Sequence, residues 1–150
     1  AWKRFTETNE TYLLVAESDV LGQPHSADRL LAIRSQLPAD GRPIYVDLAG
    51  GLPHDLIGVG KIIEDRKEGV LVLNRPATNT TCSYLISRSL ADSFLKTIAE
   101  RPYFRDVASD WLVNCLMMSA AGEGQMECWH AHPTVFDHGS LTGEYRSVIR

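Results

Sequence analysis

Glu17-Ser18-Asp19 follows an apolar run, and two carboxylates two positions apart on extended chain point to the same side. So placed, both can face one hard divalent cation or one sugar hydroxyl. The stretch stands where ligands gather in open α/β folds, in the crevice beyond the carboxyl end of a buried strand. An acidic pair after a strand also serves simply to cap a turn, and spacing leaves both roles open. His138, within Asp137-His138-Gly139-Ser140, is the second reactive group. An imidazole there can hold a metal, and Gly139 allows a ligand to approach the backbone closely. His130-Ala131-His132 imitates a metal pair, because alternate rings on a regular strand share a face, but the adjoining Pro133 weighs against regularity and ranks this pair below His138. Asp110 follows Ser109, a cap residue, so its carboxylate lies in a first helical turn. It complements the helix dipole there, or, facing a cleft, accepts a proton from a hydroxyl nucleophile.

The elements that must position these groups are legible from periodicity. Residues 11–16 read Thr-Tyr-Leu-Leu-Val-Ala, a short continuous apolar run expected of a central strand buried on both faces. After the turn Gly22-Gln23-Pro24, Ser26 is placed to cap a helix with Leu30, Leu31, Ile33 and Leu37 on one broad face, stopped by Pro38 and Gly41. Residues 44–48 form a second strand, followed by the loop Ala49-Gly50-Gly51-Leu52-Pro53, and residues 70–73 a third. The Pro- and Asn-containing stretch 75–81 is a loop leading into the strand Cys82-Ser83-Tyr84-Leu85-Ile86. Residues 87–100 are helical in period, through Leu90, Phe94, Leu95 and Ile98, and close at Arg101-Pro102. A further helix begins at Ser109, with Trp111, Leu112, Cys115, Leu116 and Met118 as its buried stripe and Gly122 at its end. Beyond Gly124 the chain returns to strand and loop.

This alternation favours a mixed α/β architecture in a single domain over a sandwich or bundle. The chain has 150 residues, 44% hydrophobic and 23% charged, an ordinary globular composition that argues against disorder and against a disulfide scaffold. No apolar stretch approaches the ~20 residues that cross a bilayer. With 15 Lys+Arg against 19 Asp+Glu, the chain lacks the basic excess used to neutralise a phosphate backbone, which argues against nucleic acid as a partner. The run Glu64-Asp65-Arg66-Lys67-Glu68 mixes both signs and reads as a solvated turn. Cys82, Cys115 and Cys128 are odd in number and widely spaced, so neither a closed disulfide framework nor a structural zinc site is indicated and buried thiols are expected.

Taken in order, these motifs resemble the family 25 glycosyltransferases, which include bacterial lipooligosaccharide galactosyltransferases and relatives of the collagen galactosyltransferases. Leu14-Val15-Ala16-Glu17-Ser18-Asp19-Val20 resembles that family's strand and acidic motif, commonly Glu-Asp-Asp. Residues 81–91 are similar to its Thr-x-x-Tyr-x-Ile-Ser-x-x-x-Ala stretch, Asp110-Trp111 to its acidic residue before a helix, and residues 133–147, with His138-Gly139-Ser140 and Ser147, to its C-terminal loop. The resemblance implies a three-layer mixed sheet flanked by helices, GT-A-like and Rossmann-related. It implies transfer of a sugar from a nucleotide-sugar donor to a hydroxyl of a glycan or glycoprotein acceptor, with Mn2+ or Mg2+ held against the donor diphosphate.

Carried onto this chain, the resemblance makes Asp19 the main metal ligand and Glu17 a metal or donor-ribose contact. It makes His138 a further metal or diphosphate contact, Gly139 and Ser140 donor contacts, and Asp110 the base or acceptor-positioning group. It implies a cytoplasmic setting for the bacterial type and the secretory-pathway lumen for the collagen type. Ser18 stands where the family usually has a middle acid, which lowers the negative charge of the motif. A GT-A domain binds its nucleotide base largely through elements before the acidic motif, and here that motif arrives at residue 17, after an opening Ala1-Trp2-Lys3-Arg4. The expectation is therefore the C-terminal portion of such a domain, incomplete at its N-terminus. Two alternatives use the same residues: a metal-dependent phosphoester hydrolase that also draws on His130 or His132, and a non-catalytic glycosyltransferase-like binding module.

Overall fold

Four segments in which Ile, Val, Leu, Tyr and Trp predominate form the middle of one sheet: β3 (Ile44–Asp47), β5 (Val70–Leu73), β6 (Ser83–Ser87) and β7 (Glu127–Ala131). All but the first residue of β7 are buried, as strands covered on both faces must be. The structure, a computed structural model, describes residues 1–50, 62–66, 69–122 and 126–144. Adding β1 (Tyr12–Ala16) and β4 (Ile62–Arg66) gives six strands in the order β1-β6-β3-β7-β5-β4. β3 and β7 run parallel and the other neighbours antiparallel, so the sheet is mixed.

Alternation along the strands divides the core in two. Tyr45, Tyr84, Ile86 and Cys128 face one side, where α1 (Trp2–Thr6), α3 (Arg88–Glu100) and α4 (Ser109–Gly122) supply Phe5, Leu90, Phe94, Leu116 and Met117. Ile44, Val46, Leu85 and Trp129 face the other, against Ile33 of α2 (Ser26–Gln36). The result is three layers, helix on sheet on helix. The Ser87 hydroxyl fixes the start of α3, accepting from Leu90 N–H at 3.4 Å and from Ile44 N–H at 3.0 Å. Trp2 packs edge-on against Phe94 and donates its indole N–H to Tyr84 Oη at 3.0 Å. Among the described residues no helix is long and apolar enough to cross a membrane.

Several expectations are corrected. The run at 12–16 forms an edge strand rather than a central one: among the described residues β1 pairs only with β6, and Leu14 is 42% exposed. Its apolar residues are explained by α1, which the sequence reading missed, because Leu13 and Val15 pack into the core that α1 helps close. The other face of β1 borders an open groove of about 580 Å3 beside α2, lined by Leu14, Leu30, Leu31 and Leu37. Ser26 is the first residue of α2 rather than its cap. His25 takes that place at φ 64°, while the Ser26 hydroxyl donates to Val135 O at 2.6 Å and ties the helix to the chain just before Phe136.

Glu64, Asp65 and Arg66 belong to β4, at the far edge of the sheet, rather than to a turn. Lys67 and Glu68, residues 51–53 of the predicted loop and Ser147 lie outside the described residues. On α4 the buried stripe is Val113, Leu116, Met117 and Ala120, with Trp111, Cys115 and Met118 exposed. Cys115 is thus not the buried thiol that was expected.

Candidate functional site

Leaving β1, the chain turns through Ser18 and Asp19 and returns as β2 (Val20–Gly22), which pairs with β8 (Phe136–His138) rather than with the main sheet. This antiparallel ribbon sets Val20 opposite His138 and so brings the acidic motif to the C-terminal motif. Gly139, the first residue of the one-turn helix α5 (Gly139–Thr142), donates its N–H to Asp19 O at 2.8 Å. Ser140 Oγ donates to Asp19 Oδ2 at 2.5 Å, and His138 Nδ1 lies 3.4 Å from the same oxygen. The Ser140 hydroxyl foremost holds the Asp19 carboxyl below the usual carboxylate range, against the opposing effect of burial and with a lesser contribution from His138.

Because residues 17–19 enter a turn instead of continuing extended, the two carboxylates part company. Glu17 is held by its N–H, which donates to Cys82 O at 2.8 Å, and its Oε1 accepts from Thr81 Oγ1 at 2.7 Å. Thr81 Oγ1 also lies 2.8 Å from Asp110 Oδ1, which accepts the Thr81 N–H at 3.3 Å. Asp110 sits in the first turn of α4, as expected. One turn on, Asn114 Nδ2 donates to Asp110 O at 3.0 Å and to Thr78 O at 2.8 Å, while Asn114 Oδ1 accepts from Thr78 N–H at 2.9 Å. This clamp locks the loop before β6 onto α4 and thereby fixes the spacing of Glu17, Thr81 and Asp110.

Asp19 and His138 are joined by a residue to which the sequence reading gave no role. One ligand atom from each of Asp19, Cys82 and His138 lies within 4.8 Å of the others. Cys82 is fully buried, and burial, then the negative charge of Asp19 and Glu17, pushes its thiol up to about 12. The signal that could have pointed to it is its place immediately before β6, where the sheet ends beside the acidic turn. As a set for the implied ion, the Asp19 carboxylate and His138 imidazole suit Mn2+, whereas Mg2+ prefers oxygen ligands in octahedral array.

His130 and His132 do not form a metal pair. β7 stays regular through Ala131, leaving His130 2% exposed and His132 exposed beyond the strand end. His130 Nε2 is 2.8 Å from Ala77 O, and its Nδ1 is 3.9 Å from Oδ2 of Asp47, itself 1% exposed. Asp47 Oδ1 accepts from Ala49 N–H at 3.0 Å. Thr78 Oγ1 lies 2.5 Å from Asp47 Oδ2 and 2.8 Å from Thr80 O, two acceptors for one hydroxyl proton. Burial drives the Asp47 carboxyl upward, with His130 and Thr78 pulling the other way.

The chain matches no known protein-family model and no curated protein.

Proposed function

We propose that this chain carries the metal-binding and acceptor side of a glycosyltransferase resembling family 25, GT-A in type, that moves a sugar from a nucleotide-sugar donor to a hydroxyl of a glycan or glycoprotein. The observation that supports this most is the meeting of Asp19 and His138 across the β2–β8 ribbon, beside a second cluster formed by Glu17, Thr81 and Asp110. Mn2+, or less suitably Mg2+, when bound supplies neutralisation of the charge that develops on a departing nucleoside diphosphate.

The protein's own groups have distinct tasks in this reading. Ser140 keeps Asp19 ionised and oriented for a cation, and Gly139 N–H fixes the Asp19 backbone. Asp110 is the base or positioning group for the acceptor hydroxyl. Its Oδ1 is occupied by Thr81, and its Oδ2 has no hydrogen-bond donor among the described residues, which leaves that oxygen to receive a hydroxyl proton. Glu17 shares Thr81 with Asp110 and is thereby set to contact the donor ribose or the acceptor rather than to join Asp19 on one ion. Of the two histidines on which the hydrolase alternative draws, His130 is enclosed with Asp47 and Ala77, and His132 lies exposed beyond the end of β7.

Calorimetric titration with Mn2+, followed by assay of Mn2+-dependent hydrolysis of nucleotide sugars, tests the reading. Asp19→Ala is expected to weaken Mn2+ binding by more than about tenfold, the least that loss of even an outer-shell partner commonly costs. Donor hydrolysis should fall in parallel. Unchanged binding and turnover in the variant would remove the metal centre from the proposal.

A further inference from the structure

We infer that Cys82 is a third protein ligand of the Asp19–His138 centre and that its sulfur makes the centre selective for borderline-soft divalent ions, Zn2+ and Co2+, over Mg2+. The inference rests on the proposed reading of Asp19 and His138 as metal ligands and specifies which ion that site takes. Three donor atoms of different kind, a carboxylate oxygen, an imidazole nitrogen and a sulfur, come within 4.8 Å of one another. Around a tetrahedral ion with bonds of about 2.0–2.3 Å, ligand atoms stand roughly 3.3–3.8 Å apart, so inward shifts of about an ångström complete the site.

Two further observations point at the same spot. His138 Nδ1 is inaccessible to solvent and has no hydrogen-bond partner among the described residues, although Asp19 Oδ2 is 3.4 Å away. A buried polar atom left this way asks for a ligand. Cys82 is held in place by its backbone, its N–H donating to Thr80 Oγ1 at 3.0 Å and its carbonyl accepting from Glu17 N–H at 2.8 Å. Among the described residues the one hydrogen-bond partner of its Sγ is Asp137 O, at 4.0 Å. The sulfur is therefore positioned without being committed.

Donor chemistry then sets the preference. Thiolate and imidazole favour Zn2+ and Co2+, while Mg2+ demands hard oxygen ligands in octahedral array. On binding, the S–H bond breaks, the sulfur keeps the electron pair and donates it to the ion, and the proton leaves to solvent. No change of oxidation state is involved. Three protein ligands leave a fourth tetrahedral position for water or a diphosphate oxygen, the arrangement of a catalytic rather than a structural site.

Titration of the reduced full chain with Co2+, followed by near-ultraviolet and visible absorption, tests this. The expected result is a thiolate-to-cobalt charge-transfer band that saturates at one equivalent and is erased by Zn2+ but not by excess Mg2+. In Cys82→Ser the band should vanish and Zn2+ affinity should fall by at least about tenfold relative to Mn2+ affinity. Circular dichroism of Cys82→Ser and of Cys82→Ala establishes that the fold persists. Co2+ bound by the native chain without the band, or a band that survives in both variants, would overturn the role of Cys82 while leaving the Asp19–His138 centre standing. Failure of Co2+, Zn2+ and Mn2+ alike to bind would overturn both.

Discussion

The ionisation of Asp47 couples to folding through its burial. Burial raises its native carboxyl above the unfolded value of about 3.9, so the native state binds a proton that the unfolded chain releases. The stability this contributes is complete below the unfolded value and is lost as pH rises through the native one. Asp47→Asn keeps an acceptor for Ala49 N–H and supplies a permanent donor toward Thr78. It is expected to leave stability equal or higher at pH 7 and to flatten its dependence on pH from about 4 upward, as read by urea unfolding at a series of pH values. None of this network was legible in the sequence, because Asp47, Thr78 and His130 lie far apart along the chain and only the β3–β7 pairing brings them together. Asp19, Asp110 and His138 stand out in the sequence as candidates because each sits beside a strand end, a helix start or a glycine, local contexts that sequence displays. Ser140 lies in the same motif as His138, and Thr81 and Cys82 open the recognised stretch at 81–91, but the contacts of Thr81 and Cys82 with the acidic motif come only from the turn at 17–19.

At the scale of elements, α3 and α4 show how far periodicity reaches. In α3 the apolar positions keep to one face, and Leu90, Ala91 and Phe94 are buried there. Phe94 is fully enclosed, and Phe94→Ala is expected to cost ~3–5 kcal/mol in chemical denaturation, with loss of the Trp2 edge contact included. By contrast Met118→Ala, on the exposed side of α4, should change stability by no more than about 0.5 kcal/mol. The two helices differ because α4 is apolar on most sides. Its start and end could be placed by Ser109 and Gly122, but Trp111, Cys115 and Met118 compete with Val113, Leu116, Met117 and Ala120 for the core face. Packing against α3 and the sheet makes the choice, and that information is not in the helix. The same limit hid α5, too short to leave a periodic trace.

At the scale of the whole molecule the alternation of strands and helices pointed to the mixed α/β class, and the resemblance implied the mixed, helix-flanked sheet, but neither carried the strand order. An apolar run of five residues reads alike at a sheet's centre and at an edge roofed by a helix, and β1 proved to be the latter. Among the described residues its outer edge pairs with no further strand, and it lies beside the Leu14 groove, the kind of surface that recruits another strand. Leu14→Lys is expected to leave the unfolding transition within about 0.5 kcal/mol while lowering concentration-dependent self-association in sedimentation velocity. The β2–β8 ribbon has a different consequence. The Ser140–Asp19 bond joins positions 121 apart, so the ribbon closes nearly the entire chain on itself and bears a loop-closure entropy met only once the intervening elements are in place. On the proposed reading, an ion bound across it would clasp a finished molecule, so that its occupancy would report that folding has run to completion.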